Sequence, residues 1–366
     1  MAPRSERARR LAPELVEAIV EAGLFRLCVP AAIGGGEAPP AVLVECVEAL
    51  AYGDGSAGWC LAIAATSGLL AGYLPEEAAR EVYGPAGAIV GGVFAPHGRA
   101  VPSEGGLRAS GRWPYASGCE HCDWLMGGCL VEDDSGVRTL ASGAPDVTLM
   151  LAPAAEVRIH DTWHVSGLRG TGSHDIEFSE LLIPAGRCAS VFTDPPTQSG
   201  PLYAFPLFGL LALAIAAVGI GIARAALDEL VSLARVKTPT ASRRRLADRA
   251  TVQADVARAE AALRAARAFL LDCARGSFET AARHREVPVP ERVALRLAST
   301  HAATTAAEVV GTAYRHGGGS AVYESSPLQR QFRDANAVTQ HMLVAPATWE
   351  LTGRLVFGFD ADVSQL

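Results

Sequence analysis

The sequence predicts a mainly α fold with a central β domain. A helical region is expected over residues 1–85, a small β-barrel or sandwich over 86–190, and a C-terminal four-helix bundle over 201–366. Three observations carry this reading. Apolar residues recur every three to four positions in the N-terminal region, as in Leu11, Leu15, Val16, Ile19 and Val20. From Ala88 onward the pattern shortens into strand-length apolar runs separated by Gly, Pro and Asp. After Asp194-Pro195-Pro196-Thr197-Gln198-Ser199-Gly200-Pro201, a linker by composition, long helical patterns return and persist.

Taken in order, a first helix runs from Glu6 to Gly23, where glycine suits a helix end. Leu24 to Val29 reads as a short extended piece, and Ile33-Gly34-Gly35-Gly36 as a mobile turn. A second helix spans Pro40 to Tyr52. Ser56 is a candidate N-cap for a third, Trp59 to Leu70. Helix restarts at Leu74-Pro75-Glu76-Glu77. Strands are expected at Ala88 to Phe94, Leu107 to Trp113, Trp124 to Val131, Val137 to Leu140, Val147 to Leu151, Val157 to Trp163 and Asp175 to Ile183. Glu104-Gly105-Gly106 and Asp133-Asp134-Ser135-Gly136 mark turns between them. The bundle then takes Leu202 to Leu230, Arg249 to Phe278, Pro290 to Tyr314 and Pro327 to Gly358.

Composition limits the functional classes. The chain has 366 residues, beyond one small core, and 49% hydrophobic content supplies a large interior. Frequent Ala and only 19% charged residues suit closely packed helices. A net charge of -7 argues against a nucleic-acid partner, which requires a concentrated basic face. Arg243-Arg244-Arg245, followed by Asp248, reads as a solvated loop. Leu202 to Ala223 is uncharged and has the length of a membrane span. Its Pro206, its glycines and its run into the amphipathic Arg224 to Leu230 read instead as the buried centre of a bundle. The eight cysteines form no framework. Cys119-Glu120-His121-Cys122 lacks the second pair that a structural zinc site uses, so no metal is expected. The polar, arginine-rich start has no apolar stretch behind it, which points to a reducing cytoplasm.

The chemistry concentrates near the end. Pro327 can open a helix, because its missing N–H would be unpaired there anyway. Arg330, Arg333, Asp334 and His341 follow, with Asp334 and His341 two turns apart and expected on one face. Upstream, Gly317-Gly318-Gly319-Ser320 offers a backbone that an anion can approach. An Arg-Asp pair and a histidine titrating near neutrality suit the cofactor end of an active site. The same residues also read as a surface ion pair, a structural histidine and a plain inter-helix turn.

Two further segments sharpen the choice. Gly111-Arg112-Trp113-Pro114-Tyr115-Ala116-Ser117-Gly118-Cys119 resembles the flavin-facing strand of one branch of the acyl-CoA dehydrogenase superfamily. Trp163-His164-Val165-Ser166-Gly167-Leu168-Arg169-Gly170-Thr171-Gly172-Ser173 resembles its second flavin segment, and the Arg333-Asp334 to His341 stretch its C-terminal active-site helix. That branch contains two-component flavin monooxygenases, which hydroxylate aromatics with reduced flavin, FADH2 or FMNH2, made by a separate reductase. The resemblance covers nearly the whole chain. It implies an acyl-CoA dehydrogenase-like fold and hydroxylation of a small aromatic or biosynthetic substrate through a flavin C4a-hydroperoxide. Ser117 would stand at the flavin N5, and His341 would act as a base toward the substrate with a titration near 6.5. Trp113, Tyr115, Ala116, Arg169, Gly170, Thr171, Gly172, Ser173, Arg333 and Asp334 would border the cofactor. Gly317, Gly318 and Gly319 would reach the flavin phosphates of a neighbouring subunit in a homotetramer.

Departures from the pattern bear on the reaction. Where acyl-CoA dehydrogenases of this superfamily commonly carry a glutamate base, this chain reads Gln340-His341-Met342. The histidine that aromatic hydroxylases carry on an early helix is absent near Thr66 and Ser67, and Ala204 stands where a basic side chain is found in phenol hydroxylases. These losses point to a neutral, more apolar substrate. An FAD-dependent acyl-CoA dehydrogenase-like desaturase and a flavin-free binding protein of the same fold remain the alternatives.

Overall fold

A computed structural model describes residues 1–134, 136–140 and 143–366. Five helices open the chain: α1 (Ala2–Ala8), α2 (Pro13–Glu21), α3 (Pro40–Gly53), α4 (Gly55–Ser67) and α5 (Glu76–Tyr83). Three local expectations need correction. The helix expected from Glu6 to Gly23 is two, because Arg9 closes α1 in a left-handed conformation (φ 54°) and Pro13 opens α2. Leu24–Arg26 is a 3-10 turn and not an extended piece. The buried Arg26 winds the chain there by donating to the carbonyls of Tyr83, Pro85 and Ile33. The N-cap of α4 is Asp54 and not Ser56: the Asp54 carboxylate accepts the Ser56 N–H at 3.0 Å.

Eight strands follow: β1 (Val90–Ser103), β2 (Gly106–Ala116), β3 (Trp124–Asp133), β4 (Gly136–Val137), β5 (Val147–Pro153), β6 (Arg158–His160), β7 (His174–Pro184) and β8 (Cys188–Ala189). They form one sheet in the order β6-β7-β2-β1-β3-β5-β8, with β4 beside β3. Among the described residues, only β1 and β3 pair in parallel. One face packs on α5 and the 3-10 turn after α4 through Val90, Met126, Leu149 and Leu151. The other encloses Trp113, Phe178, Leu125 and Met150. Trp113 has no exposed surface; its indole donates to Gly128 O at 2.8 Å and lies edge-on to Phe178. Its expected contact with the cofactor is therefore corrected: the ring braces β2 from inside.

The C-terminal region holds α6 (Leu207–Val236), α7 (Ala250–His284), α8 (Val289–Gly317), α9 (Gly319–Val322), α10 (Pro327–Val338) and α11 (Ala347–Val356). The single helix expected from Pro327 to Gly358 is broken. α10 stops at Val338, and the turn that follows carries His341 and runs into Pro346. A long apolar core joins α3 and α4 to α6, α8 and α10, so the N-terminal helices and the bundle share one interior. Among the described residues, two helical segments are apolar enough to cross a membrane, Gly55–Gly72 and Leu207–Val236, and their most apolar 18-residue stretches are 83% and 89% buried inside the protein.

A test follows from the close fit around Trp113. A Cβ at Gly98 would lie 2.2 Å from Trp113 Cζ2 and 2.6 Å from Cys129 Sγ. Gly98→Ala should cost about 1–3 kcal/mol in thermal or denaturant unfolding, the usual range for overpacking. An unchanged midpoint would show that the tryptophan is not held as described.

Candidate active site

The two glycine-bearing segments meet because β2 pairs antiparallel with β7. The register slips between Trp113 and Ala116, and Tyr115 takes a positive φ of 68°. A non-glycine residue in that region is strained and marks a position set by its surroundings. The slip leaves Tyr115 70% exposed, with its ring edge-on to Trp163 at 6.1 Å, while Ala116 and Ser117 turn inward. Opposite them, residues 169–171 form a 3-10 turn with left-handed residues at both ends, Leu168 (φ 51°) and Gly172 (φ 51°). A side chain at Gly170 would meet Ser5 and Ser56 at 3.0 Å, so the turn lies directly on α1 and α4.

A chain of hydroxyls links the two segments. Trp59 Nε1 of α4 donates to Ser117 Oγ at 2.9 Å, Ser117 Oγ lies 2.8 Å from Ser173 Oγ, and Ser173 Oγ lies 2.6 Å from Thr171 Oγ1. Thr171 Oγ1 donates to Leu168 O at 2.8 Å. Ser117, Thr171 and Ser173 are all buried. His341 joins from the turn after α10, its ring edge-on to Trp59 with centroids 5.6 Å apart. The indole of Trp59 thus stands between Ser117 and His341.

Arg333 and Asp334 face the second segment from α10. Asp334 is buried, and its carboxylate accepts the Leu168 N–H at 2.6 Å. Arg333 donates to Ser166 O and, at 2.5 Å, to Glu6 of α1. Burial pushes the Asp334 carboxyl up to about 7, against the Leu168 hydrogen bond; the nearby Asp54 acts in the same direction. Asp54 is itself raised, mainly by burial.

His341 differs from its expected state. Burial, with the nearby Arg296, lowers it to about 4, and its Nδ1 accepts the Leu343 N–H at 3.3 Å. At neutral pH the ring is uncharged with its proton on Nε2, so the expected titration near 6.5 is corrected.

Arg296 was missed because one arginine within an amphipathic pattern carries no signal of burial. Only 4% of it is exposed, and among the described residues it has no carboxylate partner. It donates to Gln365 O at 2.7 Å and weakly to Thr348 Oγ1 at 3.4 Å, while its Nε has no partner. One turn along α8, the buried Thr300 hydroxyl is unpartnered as well.

Thr66 and Ser67 are buried, and their hydroxyls return to the carbonyls of Ala62 and Ile63. Ala204 sits in a short 3-10 turn before α6. Gly317–Gly319 joins α8 to α9 beside Leu233, Lys237 and Leu328, away from the Ser117 group within this chain. Among the described residues no three His, Cys, Asp or Glu side chains converge as a metal site would require. The clefts at Glu45–Arg267 and Asp255–Arg315 lie outside this constellation.

This order of helices, central sheet and bundle, with hydroxyl-bearing turns facing a helix of the bundle, defines an acyl-CoA dehydrogenase-type architecture. Residues 213–346 match the family model described as acyl-CoA dehydrogenase, C-terminal domain. The chain is 36% identical to the indole-3-acetate monooxygenase of Pseudomonas putida, over 96% of this chain and 89% of that protein. Its fold matches the 3-HSA hydroxylase of Rhodococcus sp. RHA1 with a TM-score of 0.89 at 27% identity, covering 100% of this chain and 95% of that one. XiaF from Streptomyces sp., solved with FADH2 and glycerol, matches with a TM-score of 0.88 at 30% identity, covering 98% and 92%. The chain belongs to the flavin-dependent monooxygenases of the acyl-CoA dehydrogenase superfamily, and it is an oxidoreductase of that class.

Asp334 offers a direct test of the site's electrostatics. A carboxyl at about 7 in the folded chain, against 3.8 when open, binds more protons folded than unfolded between those values. Its stabilising contribution is complete below about 3.8 and is lost as pH rises through about 7. Asp334→Asn keeps the acceptor for Leu168 but does not titrate. The unfolding free energy of the variant relative to wild type should rise from pH 4 to 7 and stay level above. A pH-independent difference would show that Asp334 is ionised throughout.

Proposed function

We propose that this chain is the oxygenase component of a two-component system. It takes reduced flavin, FADH2 or FMNH2, from a separate reductase and hydroxylates a small aromatic carboxylate with O2. The observation that carries the substrate class is Arg296, a buried cation beside His341 that has no acidic partner among the described residues. A buried unpaired charge is costly, and the open Nε edge of a guanidinium suits a carboxylate. The relative named for indole-3-acetate supports the same class. This reading replaces the neutral substrate expected from Thr66, Ser67 and Ala204.

The residues present suit a flavin. Arg169 contributes a buried Nε without a partner in the second segment, and the turns around Tyr115, Gly118 and Gly172 bring backbone and hydroxyls to one surface. Ser117 would meet the flavin N5, with Tyr115, Ala116 and residues 169–173 bordering the ring system. Arg333 and Asp334 hold the second segment in place. The bound flavin supplies the oxygen-activating chemistry. The complex of XiaF with FADH2 supports use of reduced flavin. His341, neutral with its proton on Nε2, serves as a hydrogen-bond donor that orients the substrate, and Arg296 anchors the carboxylate. Gln340 and Glu350 are exposed, so neither is a buried base of the dehydrogenase type. Gly317–Gly319 neighbours Leu233, Lys237 and Leu328 within the chain, and in the proposed homotetramer that turn serves a neighbouring copy. The cytoplasm is the proposed setting.

Substitutions at His341 and Arg296, with Arg292 as a control, test the assignment. His341→Ala should leave reduced-flavin binding intact, while hydroxylated product per O2 consumed falls roughly 10–100-fold and hydrogen peroxide rises, as for loss of one oriented hydrogen bond. His341→Gln, which keeps an N–H donor, should recover most of that coupling; if Gln is as poor as Ala, the imidazole is needed as a base. For Arg296, wild type should bind indole-3-acetate more tightly than indole-3-acetamide, and Arg296→Gln should remove the difference. Arg292→Gln removes the partner arginine that donates to Val363 O and Leu366 O and should leave the preference unchanged. Equal loss in both arginine variants would assign the effect to the C-terminal segment and overturn the substrate reading.

A further inference from the structure

The hydroxyl chain has a direction, and its carbonyl end fixes it. An indole N–H can only donate and a carbonyl can only accept. At one end Thr171 gives its proton to Leu168 O, so Thr171 Oγ1 must accept from Ser173. Ser173 has then spent its proton, so at 2.8 Å it must accept from Ser117. At the other end Trp59 Nε1 already donates to Ser117 Oγ. The carbonyl end sets the polarity and the Trp59 end is compatible with it: Trp59 to Ser117 to Ser173 to Thr171 to Leu168. The one proton on Ser117 is committed to Ser173, and what remains free on its oxygen is a lone pair.

We infer that Ser173 makes this site selective for the redox state of the flavin, by drawing the Ser117 proton away so that Ser117 offers only an acceptor. The inference rests on the proposed position of Ser117 at the flavin N5. Reduced flavin carries a hydrogen on N5 and can donate to that lone pair. Oxidised flavin has only a lone pair there, so it meets an acceptor with an acceptor. Relief would require Ser117 to turn its hydrogen outward, leaving the buried Ser173 oxygen short of a donor. Ser173 is a positioning residue, acting through Ser117. The preference lets the oxygenase accept the reductase's product in the presence of oxidised flavin.

The test is binding, not turnover. The full-length protein is titrated with oxidised and, anaerobically, reduced FAD and FMN, and the ratio of dissociation constants is read for each. Wild type should favour the reduced form by at least about tenfold, the value of one matched against one mismatched hydrogen bond. In Ser173→Ala the Ser117 proton is released, and the ratio should shrink by about tenfold, chiefly through tighter binding of oxidised flavin. Thr171→Val, close in shape, frees the Ser173 proton to reverse the link and should move the ratio the same way. A wild type that prefers reduced flavin, with a ratio unmoved by either substitution in folded protein, overturns this inference alone. A wild type that binds neither flavin overturns the proposed function as well.

Discussion

The peptide of Leu168 is held from both sides, and the active-site arrangement depends on it. Its N–H is gripped by the buried Asp334 of α10 at 2.6 Å. Its carbonyl takes the Thr171 hydroxyl at 2.8 Å and the Trp163 indole at 3.1 Å. Leu168 is in the left-handed region, which a branched aliphatic residue adopts only when its surroundings require it. The Asp334 hydrogen bond is a large part of that requirement. One carboxylate of the bundle thereby fixes the turn that ends the hydroxyl chain, and through it the orientation of Ser117 across the sheet.

The rest of the fold keeps that carboxylate in place. α6 runs through the centre of the shared core, and its Gly219 and Gly221 allow Ala306 and the backbone of α3 to approach. α10 packs on α6 and α8 through Leu328, Ala335 and Val338, which sets Asp334 toward the sheet domain. Arg333 and Glu6 tie α1 over the same turn. Burial raises the cost of ionising Asp334, so its own hold on Leu168 comes from a carboxyl pushed up to about 7, beside the Arg333–Glu6 ion pair.

Much of the architecture was legible in residue order, because amphipathic helices and short glycine-punctuated strands have different periods. The motif around Ser117 and Thr171 was legible as a resemblance. What was not legible depends on long-range contacts. Nothing in Leu24–Val29 signals that Arg26 will wind it into a turn by reaching the carbonyls of Tyr83 and Pro85. The helix expected through His341 stops at Val338, and the turn after it brings the His341 ring against Trp59. Trp113 was expected at the ligand because of the motif it stands in; the pleat of β2 sends it into the core instead. Arg296 and Trp59 gain their meaning from what they face, Arg296 from His341 and Trp59 from Ser117, which no local spacing encodes.

The central claim is that this surface receives reduced flavin and passes oxygen from it to an aromatic carboxylate. The most direct measurement is an anaerobic titration of the protein with FADH2 and FMNH2, followed by mixing with oxygenated buffer containing indole-3-acetate and quantifying product against flavin oxidised. The account predicts saturable binding of at least one reduced flavin and hydroxylated product in near-stoichiometric yield. Absence of reduced-flavin binding, or reduction of bound oxidised flavin by an acyl thioester with no hydroxylated product, would contradict it.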